Sequence, residues 1–206
     1  MDAVVISVEY WLAPEHPDPA PIADCYAGLI WAASNSERLG YDPNRLILAG
    51  ASAGGGIAAG TALKARDLGA PQLAGQLLLY PMLDDRNDTT SSRQVDGRGI
   101  WDRNSNALGW AALLNGRRGN ESISGYAAPA SAESLDNLPP TYLDCGSAEV
   151  FRDEITAYAS RIWSHGGSAE LHVWSGGFHA FDLLVPEARV SRAMVAARMD
   201  WLRRLG

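Results

Sequence analysis

Ser52 stands in the run GASAGGG at 50–56, flanked at a distance of two by Gly50 and Gly54. The branched apolar run RLILAG leads into it, and IAAGTALKARDLG, with helical spacing, leads out. A G-x-S-x-G turn between strand and helix lifts a serine hydroxyl clear of its backbone. A Cβ at 50 or 54 is expected to clash in so sharp a turn. The helix behind it aims its amino end at the same point, so the Ala53 N–H can donate to a developing oxyanion. The plain alternative is a glycine-rich connection with no chemistry. A phosphate cradle fits less well: no lysine follows the glycines and there is no G-x-G-x-x-G.

A serine hydroxyl is a weak nucleophile until a base takes its proton. The chain has four histidines. His16 lies in a proline-rich loop, His165 ends a helical run, and His172 falls inside a strand-like run. His179, in WSGGFHAFDLL, sits in a loosened loop just past the last strand. It is the candidate base, and the other three are read as structural. A base needs an acid to fix its tautomer. Glu149, in the turn after TYLDC, is the first candidate. Asp153 is the second; it and Glu154 also suit the first turn of a helix for ordinary dipole reasons.

These residues need a scaffold. Apolar runs alternate with helix-spaced ones. Strands are expected at 3–10, 45–49, 76–80, 141–145 and 170–174. Helices are expected at 22–39, from the serine turn to 68, and at 104–114, 152–165 and 187–205. Segments 84–103 and 115–140 read as loop, and Asp84–Arg86 as a turn. Apolar, non-alternating strands between helices predict an α/β fold, a mostly parallel sheet with helices on both faces. In such sheets ligands meet the carboxyl ends of the strands, where Ser52, Glu149 and His179 fall.

The length of 206 residues suits one domain, 1–206. Net charge is −7 without a basic stripe, which argues against nucleic acid and anionic membrane as partners. Cys25 and Cys145 read as buried free thiols rather than a disulfide. No signal peptide or membrane run is legible, and a cytoplasmic location is expected. Asn87 and Asn120 head glycosylation triplets that matter only in a secreted chain. Trp31, Trp163 and Trp201 are expected in the core.

Together YWLAPEHPDPAP, GASAGGG, LLLYPMLDD, NLPPTYLDCGSAEVFRDE and GGFHAFD resemble the hormone-sensitive-lipase-like esterases, bacterial family IV carboxylesterases of the α/β-hydrolase fold. The resemblance runs in order over essentially the whole chain. It implies hydrolysis of short- to medium-chain carboxylic esters through an acyl-enzyme, with no metal or organic cofactor. Carried over by position, it makes Ser52 the nucleophile, His179 the base and Glu149 the acid, where the family usually has aspartate. Ala51 and Trp11 replace the family's usual aspartate and arginine. It also implies a His-Gly-Gly-Gly oxyanion loop and a cap ahead of residue 1, so the chain is expected to be a fragment holding about the C-terminal two-thirds of the fold. Residues 3–10 are then expected either to slide beside the nucleophile strand or to hang unpaired. The resemblance places Trp101, Trp110 and Phe178 near the site as possible pocket walls; for Trp110, core packing weighs equally. Glu15 and His16 are expected to organise the loop beneath. Homodimerisation through the last strand, ELHVW, is a further implication. The competing class is an impaired ligand-binding or truncated relative, which turnover would separate from an enzyme.

Overall fold

The computed structural model describes residues 3–117 and 123–205. Four strands form one sheet in the order of the chain: β1 (Ile47–Ala51), β2 (Gly75–Leu79), β3 (Thr141–Gly146) and β4 (Ala169–Trp174). All three pairings are parallel. The helices are α1 (Ala20–Ser34), α2 (Ser36–Leu39), α3 (Ala53–Leu68), α4 (Thr90–Gln94), α5 (Arg103–Leu113), α6 (Arg152–Ser164), α7 (Phe181–Leu184) and α8 (Arg189–Arg204).

The two faces of the sheet are read off alternate residues. Leu78, Leu143 and Cys145 point into the main core, shared with Ala59, Ala62 and Leu63 of α3 and Ile155 and Ala159 of α6. Leu77 and Tyr142, one residue out of step, meet Trp201 of α8 on the other face. Helices therefore cover both faces, and β2 and β3 can be apolar without alternation. Local signals set the ends: Gly40 and Gly69 close α2 and α3 in left-handed conformation, and Thr89 and Asp102 cap α4 and α5 through Ser92 and Ser105 N–H groups.

Several expectations change. Residues 3–10 form no strand; they run unpaired, with Val5 88% exposed. β-branched composition favours a strand only when a neighbour supplies hydrogen bonds. A groove of about 920 Å³ separates this segment from β1, lined from one side by Val4 and Ile6 and from the other by Leu48 and Gly50. The segment is moored at its far end, where Val8 lies against Gly28 and the Trp11 N–H donates to Asp24 (2.9 Å). The first paired strand starts two residues later than expected. Segment 84–103 contains α4. Trp201 is core, but Trp31 and Trp163 are 45% and 48% exposed; each lies on the outer side of its helix, Trp31 under the Arg38 guanidinium. Cys145 is buried and Cys25 half-buried; both are free. Burial, with Asp24 second, pushes the Cys25 thiol up to about 11, so it stays protonated at neutral pH. Asn87 is buried, its amide donating to the Arg103 carbonyl, which leaves nothing to glycosylate. Asn120 lies outside the described residues.

Among the described residues no helix is long and apolar enough to cross a membrane, and no cluster of His, Cys, Asp and Glu could hold a metal ion.

Candidate active site

Ser52 joins β1 to α3 with φ 56 and ψ −123. A non-glycine residue with positive φ is strained by about 1–3 kcal/mol, so its surroundings must hold it there. They do so through the backbone. The Ser52 N–H donates to the Leu79 carbonyl (2.9 Å), and its own carbonyl accepts from Gly56 (3.1 Å) and Met82 (3.0 Å). The expected need for two glycines is half right. A Cβ at Gly50 would sit 2.1 Å from the Gly54 carbonyl oxygen, but a Cβ at Gly54 would meet nothing within 4 Å. The turn folds position 54 over position 50, so only the lower glycine is crowded. The Ala53 N–H belongs to the first turn of α3, where a helix leaves its amides without intrahelical acceptors.

Ser52 Oγ lies 3.1 Å from His179 Nε2, and His179 Nδ1 lies 2.9 Å from Glu149 Oε2. A carboxylate offers only acceptors, so Nδ1 carries the ring proton and Nε2 accepts from the serine hydroxyl. The Glu149 side chain is fully buried and that of His179 is 10% exposed. The other Glu149 oxygen accepts the Phe151 N–H at 3.3 Å. The acid and base loops approach so closely that a Cβ at Gly146 would lie 2.0 Å from the Gly177 carbonyl oxygen.

Asp153, the second candidate acid, is occupied elsewhere: Oδ2 accepts the Ser91 N–H (2.7 Å) and Oδ1 pairs with Arg152 (2.8 Å). Burial opposes ionisation there, but these partners hold the carboxyl below its usual value. The other histidines lie apart. His165 meets Asp136, His172 meets Glu170 and stacks on Trp174, and exposed His16 packs on Trp11; Glu15 is exposed beside it. Of the pocket candidates, half-buried Trp101 lies with its ring 6.4 Å from that of His179. Half-buried Phe178 packs toward Phe181, and Trp110, 1% exposed, belongs to the core.

Two neighbours of the site, Tyr80 and Phe151, are not singled out by the sequence, and Glu154 is singled out only for its place in the first turn of a helix. Tyr80 and Phe151 set their ring edges against His179 at 5.1 and 5.5 Å. Fully buried Glu154 accepts the N–H groups of Leu83 (2.7 Å) and Asp84 (3.2 Å), fixing the segment whose Met82 holds the Ser52 carbonyl. Burial, then the nearby Asp84 and Glu149 carboxylates, push Glu154 well above its ordinary 4.5 against the pull of those amides. Position alone could have flagged Tyr80, at the carboxyl end of β2.

The family model described as the alpha/beta hydrolase fold matches residues 1–183. The chain belongs to that family. It is 38% identical over 192 residues to the carboxylesterase NlhH of Mycobacterium tuberculosis, covering 90% of this chain and 60% of that protein. Esterase LipI of the same species is 35% identical over 204 residues, covering 96% of this chain and 63% of that protein. Among solved structures, a bacterial heroin esterase superposes with a TM-score of 0.92 at 42% identity, over 96% of this chain and 63% of that one. Esterase LipW from Mycobacterium marinum gives 0.90 at 38%, over 95% and 61%. The chain thus spans about 60% of the length of these curated relatives. The resemblance to hormone-sensitive-lipase-like esterases agrees with them.

Proposed function

We propose that the chain is a serine carboxylesterase acting on small esters of short to medium acyl length. The observation that carries this reading is the unbroken hydrogen-bonded line from Ser52 through His179 to Glu149. Its place at the carboxyl ends of parallel strands fits, as do relatives named esterases.

In the proposed reaction Ser52 Oγ attacks the ester carbonyl carbon while its proton passes to His179 Nε2. Glu149 accepts the Nδ1–H bond throughout and stabilises the imidazolium without taking the proton. The Ala53 N–H donates to the oxyanion of the tetrahedral intermediate. Collapse expels the alcohol, which takes the proton from His179, and leaves an ester on Ser52. Water then gives its proton to Nε2 and attacks that ester, releasing the carboxylic acid and restoring the serine. Trp101 is the proposed wall of the acyl or alcohol pocket, with Phe178 beside the base loop.

The test is hydrolysis of p-nitrophenyl acetate by the purified chain beside Ser52→Ala. Turnover by the chain that the alanine variant lacks is the expected result. Equal rates from two folded samples would overturn the reading.

A further inference from the structure

Arg198 of α8 is 7% exposed and lies between two aspartates that are equally out of reach of water. Its Nε and Nη2 hold Asp144 of β3 as a fork, at 2.7 and 3.1 Å, and Nη1 reaches Asp182 of α7 at 2.5 Å. Its guanidinium carbon sits 5.6 Å from the centre of the Tyr80 ring, and that ring meets His179 edge-on. The Tyr142 hydroxyl donates to Asp144 at 3.3 Å. The second oxygen of Asp182 has no hydrogen-bond partner among the described residues.

Two acids against one arginine are an inefficient way to stabilise a core, since desolvating three charges offsets much of their attraction. What the cluster does well is fix geometry. The planar fork accepts Asp144 in one orientation only, and that leaves Nη1 aimed at Asp182. Two segments bordering the imidazole converge there. Asp182 lies one turn after His179, in a tight turn where the Ala180 carbonyl accepts from Leu183 (3.0 Å) and Leu184 (3.1 Å). Ala180, next to the histidine, has φ 57. Tyr80, beside the imidazole ring, has φ 36, and its N–H donates to the Asp144 carbonyl at 2.8 Å. Both are unfavourable for L-residues, and both flank the same imidazole. Burial, with the Asp182 carboxylate beside it, pushes the Tyr80 phenol up to about 12, so it remains a neutral ring at working pH.

We infer that Arg198 is a positioning residue for His179, acting through Asp182 and Tyr80 to hold the imidazole between Ser52 and Glu149; this rests on the esterase reading above. A group that orients the base without touching substrate should change turnover and leave binding alone.

The experiment compares the full chain with Asp182→Asn, which keeps shape and removes the charge that Nη1 holds. On p-nitrophenyl acetate, kcat should fall roughly tenfold to a hundredfold with KM within about twofold, the scale of a small misplacement of a catalytic group. The downfield proton-NMR signal of the His179 Nδ1–H, bonded to Glu149, should broaden or vanish. Arg198→Lys, which keeps the charge and loses the fork, should fall between. A folded Asp182→Asn chain with wild-type kcat, KM and Nδ1–H signal would overturn the inference. If the wild type shows no Ser52-dependent turnover, the esterase reading fails, and the Nδ1–H signal alone still decides the positioning role. Should Asp182→Asn not fold, Tyr80→Leu leaves the ion cluster whole, removes its aromatic link to His179, and is held to the same two outcomes.

Discussion

Residues 141–145 and residues 3–10 are both expected from the sequence to form strands. In the first, every residue of β3 is buried, each backbone edge meets a parallel neighbour, and the turn beyond it carries Glu149 onto His179. In the second, the backbone pairs with no strand, and Val4, Val5 and Ile6 face solvent across a groove from β1. Two strand-like runs thus end as a paired, buried strand in one place and an unpaired, exposed segment in the other. What differs is the supply of neighbours: burial and hydrogen bonding come from other segments, not from the segment's own residues. Ser52 sits between the two regimes. Its strand has a partner on one side only among the described residues, yet its turn is held by Leu79, Gly56 and Met82.

The sharpest break of the paired side is Glu149→Gln. It should keep the fold and lower kcat on the order of 10³–10⁴-fold, as expected when the orienting carboxylate is lost; steady-state kinetics on a p-nitrophenyl ester reads it. Next in size is a pair at the elbow. Gly50→Ala should cost about 3 kcal/mol or more, because its Cβ would run into the Gly54 carbonyl, while Gly54→Ala should leave the midpoint of urea unfolding unchanged. Equal effects at the two positions would mean the turn is not as described.

A smaller effect concerns Glu154. Its carboxyl is held above its ordinary 4.5 in the fold, so the folded chain binds a proton that the unfolded chain releases. The stability this gives is complete below the ordinary carboxyl range and is lost as pH rises through the raised value. Glu154→Gln keeps an acceptor for Leu83 and Asp84 and should flatten that decline. Relative to wild type, its melting temperature should rise as pH increases above the ordinary carboxyl range. A parallel decline in both chains would assign the loss to other groups. The smallest effect belongs to the unpaired side. Val5→Lys should change stability by less than about 0.5 kcal/mol, while reducing aggregation at the open edge, measured by light scattering.

Much of this was legible. The alternation of strand and helix gave the parallel sheet, and β2, β3 and β4 lie within a residue of their expected places. Position after a strand singles out Ser52, Glu149 and His179, and the structure brings the three into hydrogen-bond contact, because a parallel sheet sends those turns to one end. The spacing of GASAGGG identified Ser52 but not which glycine was crowded, since that depends on how the turn folds over itself. The aromatic surround of His179 and the Arg198 cluster were not legible. Arg198 keeps helical spacing with Met194 and Trp201, which puts it on the buried side of α8, but its partner Asp144 is 54 positions away and no local pattern names it. Trp31 and Trp163 failed for the opposite reason: helical spacing alone does not say which side faces the core.

Ser52 and its proposed base His179 are 127 positions apart in the chain, and β4, which leads into the His179 loop, joins the sheet through β3. During synthesis the serine therefore leaves the ribosome well before the histidine that would activate it. On the proposed roles, Ser52 is an ordinary alcohol until β4 has docked, and a half-made chain carries no activated serine. On that reading, reactivity arrives last, and the rate at which a serine-directed phosphonate labels Ser52 would serve as a clock for the completion of folding.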